Sequence, residues 1–217
     1  MNEPPRLMES HDAALSAVPY FLNLGLGKAA IAAPCHFVDL GGNNTDVRQE
    51  LALAAKAEKR GVAIAPDCGL SPGMASILGA ELVQRLGVFR RESSRQRQAN
   101  RADVENLRRQ VRGKGDPTCV PCASKRMSQC VRPECAVCSE HDCRPVATLT
   151  PVDHHDAKTD MSAMMCTTAF PASIVVQMLA SGVPAKRGAV LQECDVPVDT
   201  FLDEMRRRGI DIEYHMH

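Results

Sequence analysis

Residues 36–75, with the sequence HFVDLGGNNTDVRQELALAAKAEKRGVAIAPDCGLSPGMA, decide the fold that we predict for this chain. The apolar runs His36–Leu40 and Val62–Ala65 are typical of buried strands. Between them, apolar residues at helical spacing predict a helix capped by Asn44 or Thr45 and ended by Gly61. This segment therefore predicts a strand–helix–strand unit.

The same alternation continues on both sides of this unit. Upstream, Ala13–Val18 predicts a strand and Phe21–Ala33 a helix that Pro34 ends. Downstream, a loop leads into a helix from about residue 74 to residue 86. Three strand–helix pairs in succession predict a parallel sheet with right-handed crossovers. Ligands of such sheets bind at the carboxyl ends of the strands, which here are followed by Pro19-Tyr20, Gly41–Asn43 and Asp67–Gly73.

A glycine motif inside the first predicted helix resembles a phosphate-binding loop. Gly25-Leu26-Gly27-Lys28-Ala29-Ala30 matches the G-x-G-x-x-(G/A) dinucleotide fingerprint. That fingerprint must directly follow a strand and open a long helix, whereas Pro34 ends this helix soon after Gly27. We therefore interpret these glycines as part of the helix.

Composition excludes several classes of function. The 26 basic and 26 acidic residues give a formal net charge of zero, so charge offers no argument for binding nucleic acid or an anionic membrane. No apolar run is expected to reach the roughly 18 residues that a membrane span needs, and the first ten residues do not resemble a signal peptide. We therefore expect no nucleic-acid partner, no membrane contact and a cytoplasmic location.

The chain divides into three blocks, at residues 1–88, 89–150 and 151–217. All seven aromatic residues lie in the outer two blocks or at their margins, with none between Phe89 and Phe170. The middle block is rich in Arg, Ser, Gln, Cys and Pro, which predicts a poorly ordered segment without a buried antiparallel sheet. Such a composition is also typical of a gene read out of frame. The expected fold class is α/β, with a partial Rossmann-like parallel sheet, a degraded α+β second domain and a C-terminal tail of amphipathic helices.

Cysteines of the middle block offer an alternative. Two C-x-x-C pairs, Cys119/Cys122 and Cys135/Cys138, have the spacing of a structural zinc site. Metal binding would supply folding free energy to a segment poor in apolar residues. The apolar and aromatic side chains that usually surround such a site are missing, so accidental cysteines remain the competing interpretation.

Three motifs of the first block carry a resemblance to a known family. AVPYFLN (Ala17–Asn23), HFVDLGG (His36–Gly42) and PDCGLSPGMA (Pro66–Ala75) resemble the saccharopine dehydrogenase family, and within it the lysine 6-dehydrogenase-like branch. TAFPASIVVQMLASG (Thr168–Gly182) and FLDEMRRRGIDIEY (Phe201–Tyr214) resemble the tail of the same family. The resemblance implies transfer of hydride between NAD or NADP and an amino-acid carbon–nitrogen bond, with lysine or saccharopine as the class of substrate.

The resemblance also implies roles for individual residues. Contact with the cofactor would come from Val18, Pro19, Tyr20, Gly41 and Gly42. Asp67 and Cys68 would be the catalytic groups, because a carboxylate at a strand end can hold an ammonium group. The substrate would also contact Asn43, Gly69, Pro72 and Gly73.

The chain departs from that family at its beginning. Only sixteen residues precede AVPYFLN, so the family's strand, G-x-G-x-x-G loop and ribose-binding acid are absent from the sequence. We therefore expect an N-terminally truncated enzyme with little or no dehydrogenase activity. The alternatives are a zinc-binding interaction module and a non-catalytic subunit, either a homo-oligomer or one whose open sheet is completed by a partner chain.

Overall fold

The computed structural model describes residues 3–85, 130–131, 135–138 and 145–216. In chain order the elements are α1 (Glu3–Met8), β1 (Ala13–Ser16), α2 (Asn23–Ala32), β2 (His36–Asp39), α3 (Asn44–Leu51), α4 (Ala54–Lys59), β3 (Ala63–Ala65), α5 (Ala75–Arg85), β4 (Cys130–Val131), β5 (Cys135–Cys138), β6 (Pro145–His154), α6 (Ala163–Ala180), β7 (Gly188–Ala189), α7 (Gln192–Asp195), α8 (Val198–Arg207) and β8 (Asp211–Met216).

The predicted parallel sheet is present. Its strand order is β1-β2-β3-β7, and every neighbouring pair is parallel. The α/β fold class inferred from residues 13–86 is thus confirmed. The fourth strand, β7, comes from the C-terminal block and pairs with β3 through Ala63 opposite Gly188, a pairing that the sequence did not indicate.

A second, antiparallel sheet forms around the long strand β6. Strand β5 pairs with it from Cys135 opposite Leu149, and β8 pairs with it from Val152 opposite Asp211 to Ala147 opposite Met216. Strand β4 pairs with its last two residues. The middle block thus contributes β5 and the first residues of β6 to an antiparallel sheet, which the sequence did not indicate, and β8 supplies β6 with a partner from outside that block. The three-block division itself stays a prediction, since residues 86–129 lie outside the described part.

Local signals in the first block placed the helices correctly but missed one break. The helix expected up to Arg60 is divided into α3 and α4 at Ala52 and Leu53. Its cap is Asn43, one residue earlier than predicted, whose side chain accepts a 2.8 Å hydrogen bond from the backbone N–H of Thr45. Gly61 follows α4 with φ +69°, as expected for a C-terminal glycine.

The glycine motif at residues 25–30 lies within α2, as the sequence analysis predicted. A β-carbon at Gly27 would lie 3.6 Å from the ring of Phe37, which is fully buried in β2. Gly27 thus lets α2 pack closely onto the sheet. Gly27 lies inside the helix and not in a loop before it, so it is not placed to bind a phosphate.

One hydrophobic core joins the two sheets. Buried side chains of the parallel sheet, such as Val38 and Ala63, belong to the same cluster as Leu149 of β6 and Phe201 of α8. Helix α6 contributes Ile174, Val175 and Leu179 to it and contacts β1, β2, β6 and α8. The described residues of both sheets are therefore packed around α6.

Helix α6 also corrects an expectation about apolar runs. Its 18 residues carry no charge and are long and apolar enough to span a membrane by length and composition, although none was expected to be. Half of the helix is buried inside the protein. Its buried residues, including Thr167, face the core described above, so the fold accounts for its apolar character.

His36 makes the junction of β2 and β3 sensitive to pH. Its Nδ1 accepts a 3.0 Å hydrogen bond from the backbone N–H of Ala63. Burial lowers the pKa of His36 below 6.5, and the nearby Arg187 lowers it further, against a smaller opposing effect of Asp12. Since the unfolded chain binds the proton more readily, this residue costs stability as the pH falls below about 6.5.

We expect His36→Gln to remove that loss, measured as the difference in urea midpoint between variant and wild type from pH 8 to pH 5. Parallel curves would contradict it.

Candidate functional site

The structure brings the three predicted loops together at the carboxyl edge of the parallel sheet. A β-carbon added at Gly42 would lie 3.3 Å from Cβ of Tyr20, and one added at Gly41 would overlap the carboxylate of Asp67. Gly41 has φ +72° and Gly42 has φ +125°, and residues with a side chain rarely adopt such positive values. Glycine is thus required where the loop after β2 passes between its two neighbours.

Asp39 holds two of these loops in place. It ends β2 and is fully buried, and its Oδ1 accepts hydrogen bonds from the backbone N–H groups of Gly41 at 2.6 Å and Asp67 at 3.3 Å. Its carbonyl oxygen accepts a third, 2.8 Å bond from the N–H of Cys68. Burial raises the pKa of Asp39, although the bonds from Gly41 and Asp67 oppose that shift. One residue therefore fixes the spacing of the loops after β2 and β3.

Glu50 lies behind this arrangement and was not predicted. It is in the last turn of α3 and is 1% exposed. No N–H or hydroxyl of the described residues reaches either of its carboxyl oxygens, and its strongest electrostatic neighbour is Asp39. Burial, together with the adjacent negative charge of Asp39, raises the pKa of Glu50 to about 9. At neutral pH Glu50 is therefore protonated and can donate its proton in a hydrogen bond to Asp39.

Asp67 and Cys68, the two predicted catalytic residues, are adjacent but differ in environment. Asp67 is 8% exposed and has φ +63°, a strained value for an aspartate. Cys68 is almost fully buried, and burial raises the pKa of its thiol far above the usual range. The thiol donates to the carbonyl of Ala65 at 3.3 Å and accepts from Nε2 of Gln192 at 3.1 Å. These contacts argue against a reactive thiolate at Cys68.

The predicted substrate-binding residues shape the loop after β3. Gly73 has φ +116°, and a β-carbon there would lie 2.7 Å from the carbonyl oxygen of Asp67. At Gly69 an added β-carbon would lie 3.2 Å from the carbonyl oxygen of Leu40. Pro72 follows Ser71 through a cis peptide bond. These positions fix a tight loop, whereas the side-chain oxygen of Asn43 is occupied in capping α3.

The predicted cofactor-binding residues present accessible apolar surface. Val18 is 45% exposed and Tyr20 is 42% exposed, although both have large hydrophobic side chains. Pro19 precedes a short 3-10 turn, Tyr20–Leu22, that leads into α2. The residues that the sequence indicated for a cofactor are thus available to a ligand, and their roles stay predictions.

Two cavities of about 500 and 470 Å³ lie away from this edge. One is at the amino ends of the parallel strands beside His36 and Arg60, and the other is beside His155 and Cys166. Neither is lined by a residue of the predicted site.

The zinc alternative remains a prediction. Cys119 and Cys122 lie outside the described residues, and Cys135 and Cys138 are described only as backbone positions in β5. Within the described residues no group of three His, Cys, Asp or Glu side chains is arranged to hold a metal ion.

Sequence reasoning missed Glu50 and Gln192 for different reasons. Glu50 lies three residues after Val47, on the face of α3 that turns toward the sheet, so an acid on a helical apolar stripe was the available signal. Gln192 bonds to Cys68 from 124 residues further along the chain, and no local pattern marks such a contact.

Comparison with known proteins gives a likeness in fold. No protein-family model matches the sequence. Among solved structures, apo histidine-tagged saccharopine dehydrogenase (L-Glu forming) from Saccharomyces cerevisiae is similar, with a TM-score of 0.62 and 10% sequence identity. The match covers 99% of this chain and 86% of that chain. At this identity the likeness shows that the two proteins share an α/β fold.

Proposed function

We propose that this chain carries an oxidoreductase site of the saccharopine dehydrogenase type, acting with NAD or NADP on the carbon–nitrogen bond of an amino acid of the lysine or saccharopine class. The observation that carries the proposal is the pair of hydrogen bonds that the carboxylate of Asp39 accepts from the backbone N–H groups of Gly41 and Asp67. These bonds join the loops after β2 and β3 into one surface beside Tyr20. The fold shared with a saccharopine dehydrogenase supports it.

The described residues fit the nicotinamide end of a dinucleotide better than its pyrophosphate. The exposed side chains of Val18 and Tyr20 offer a surface against which a nicotinamide ring could pack. The motif at Gly25 and Gly27 lies inside α2, so it provides no turn of free amides for a pyrophosphate. A bound NAD or NADP would supply the hydride acceptor. We therefore propose weak cofactor binding and little or no turnover by this chain.

The side chains beside that surface suit a substrate ammonium group. Asp67 is the acid that the loop after β3 presents, and its low exposure strengthens its attraction for a cation. Because Glu50 is protonated, Asp39 is the only one of these two buried acids that places a negative charge behind Asp67. Cys68, held as a thiol by burial and by Gln192, positions the loop rather than moving a proton.

The proposal is tested by cofactor binding. We expect NADH or NADPH to give saturation-transfer NMR signals with the wild-type chain in the presence of L-lysine or L-glutamate. Tyr20→Ala should weaken the binding about fivefold, because losing an aromatic contact costs about 1 kcal/mol. Tyr214→Ala, in β8, is the matched control. Absence of binding to the wild type, or equal loss in both variants, would contradict the proposal.

A further inference from the structure

Gln192, the first residue of α7, reaches the loop that presents Asp67. It is 3% exposed, and its Nε2 donates to the carbonyl oxygen of Pro66 and, at 3.1 Å, to the thiol of Cys68. A carbonyl oxygen can only accept a hydrogen bond, so the amide nitrogen of Gln192, and not its oxygen, must face Pro66. Gln192 therefore binds both neighbours of Asp67 in the chain.

The backbone of the chain next to Gln192 is anchored to the same part of the parallel sheet. The N–H of Val190 donates a 2.9 Å hydrogen bond to the carbonyl oxygen of Ile64 in β3. The N–H of Leu191 donates at 2.8 Å to the carboxylate of Asp195, which closes the single turn of α7. Gln192 is thus held through its neighbours as well as through its side chain, and this makes it a rigid support for the loop.

Asp67 has a conformation that needs such support. Its φ of +63° is unfavourable for an aspartate, and a value of this kind persists only where the surroundings impose it. Asp39 holds the N–H groups of Asp67 and Cys68, and Gln192 holds the thiol of Cys68. The carboxylate of Asp67 then occupies the space that a β-carbon on Gly41 would fill. It is therefore oriented toward the loop after β2.

We propose that Gln192 is a positioning residue for the carboxylate of Asp67. The inference rests on the proposed function, in which Asp67 binds the ammonium group of the substrate. Gln192 acts through residues 66–68 and needs no contact with the ligand. Glutamate at this position would be nearly the same size, but it would place an acceptor oxygen against the carbonyl oxygen of Pro66. We expect the carboxylate of Asp67 then to move away from Gly41.

The test is a split between two affinities in Gln192→Glu, measured by NMR titration. The affinity for L-lysine at saturating NADH or NADPH should fall at least about tenfold, because a hydrogen bond to a charged group is lost. The affinity for the cofactor alone, which we assign to Tyr20, should stay unchanged. Gln177→Glu makes the same chemical change at an exposed position of α6 and should alter neither affinity. Met205→Ala, in the core of α8, should lower the urea midpoint without producing the split.

A second readout needs no ligand. In Gln192→Glu the carboxyl carbon resonance of Asp67 and the amide resonance of Gly41 should shift, whereas Gln177→Glu should leave both in place. Gln192→Met removes both donated hydrogen bonds without adding a charge, so it should give the same shifts even where Gln192→Glu does not fold.

The two readouts separate this inference from the proposed function. A wild type that binds no L-lysine contradicts the proposed function, and the resonance shifts then decide whether Gln192 positions Asp67. Unmoved resonances in Gln192→Met overturn the inference. An equal loss of affinity for L-lysine and for the cofactor also overturns it, because Gln192 would then support the fold in general.

Discussion

Replacing Gly73 by alanine is expected to cost about 3–5 kcal/mol of unfolding free energy and to displace the loop after β3. The glycine has φ +116°, which residues with a β-carbon avoid. The added methyl group would also lie 2.7 Å from the carbonyl oxygen of Asp67 and 2.8 Å from the carbonyl carbon of Cys68. Both are backbone atoms, so the clash can be relieved only by moving the loop. Urea unfolding monitored by circular dichroism measures the loss.

Gly61→Ala is the matched control for this substitution. Gly61 also has positive φ, +69°, but an added β-carbon meets nothing within 4 Å. Alanine there carries the backbone strain without the clash and should cost about 1 kcal/mol. Equal losses of unfolding free energy at the two positions would show that the close approach of Gly73 to Asp67 and Cys68 does not contribute to the effect.

Glu50→Gln is expected to stabilise the protein at neutral and alkaline pH. The pKa of Glu50 is raised from 4.5 to about 9 in the folded chain. The folded chain therefore holds the proton of Glu50 more tightly than the unfolded chain does. The contribution of Glu50 to the free energy of unfolding is fully present below pH 4.5. It is lost as the pH rises toward 9, by about 1.4 kcal/mol for each pH unit. Glutamine is neutral throughout and its amide can donate to Asp39 as the protonated acid does. The variant should be more stable by on the order of 3 kcal/mol at pH 7.

The pH dependence identifies the cause of that gain. The difference between Glu50→Gln and wild type should be small at pH 4.5 and increase steadily to pH 9. Glu58→Gln, at an exposed position of α4, should leave the curve unchanged. A constant difference at every pH would attribute the gain to packing, and a loss of stability would show that the buried acid is needed in its charged form.

The first block could be predicted from sequence because its signals are local. Strands at residues 13, 36 and 63, the helices between them and the glycine at residue 61 follow from periodicity and turn residues within short windows. The convergence of Tyr20, Gly42 and Asp67 followed from one rule, that carboxyl ends of parallel strands meet at one edge.

What the sequence did not indicate depends on contacts between distant residues. Strand β7 joins the parallel sheet from residue 188, and β6 finds its partner β8 more than fifty residues later. Glu50 is buried beside Asp39, a residue of another element, and from sequence alone it resembles an ordinary surface acid. Such contacts have no periodic signature within either partner.

The position of α6 has a consequence for synthesis on the ribosome. Strands β1, β2 and β3 are complete by residue 65, yet the helix that packs against β1 and β2 spans residues 163–180 and the fourth strand begins at residue 188. More than a hundred further residues must therefore be synthesised before α6 can cover the face of β1 and β2 against which it packs. Apolar surface that is exposed in this way during synthesis favours aggregation. The long sequence separation of these contacts also favours slow folding.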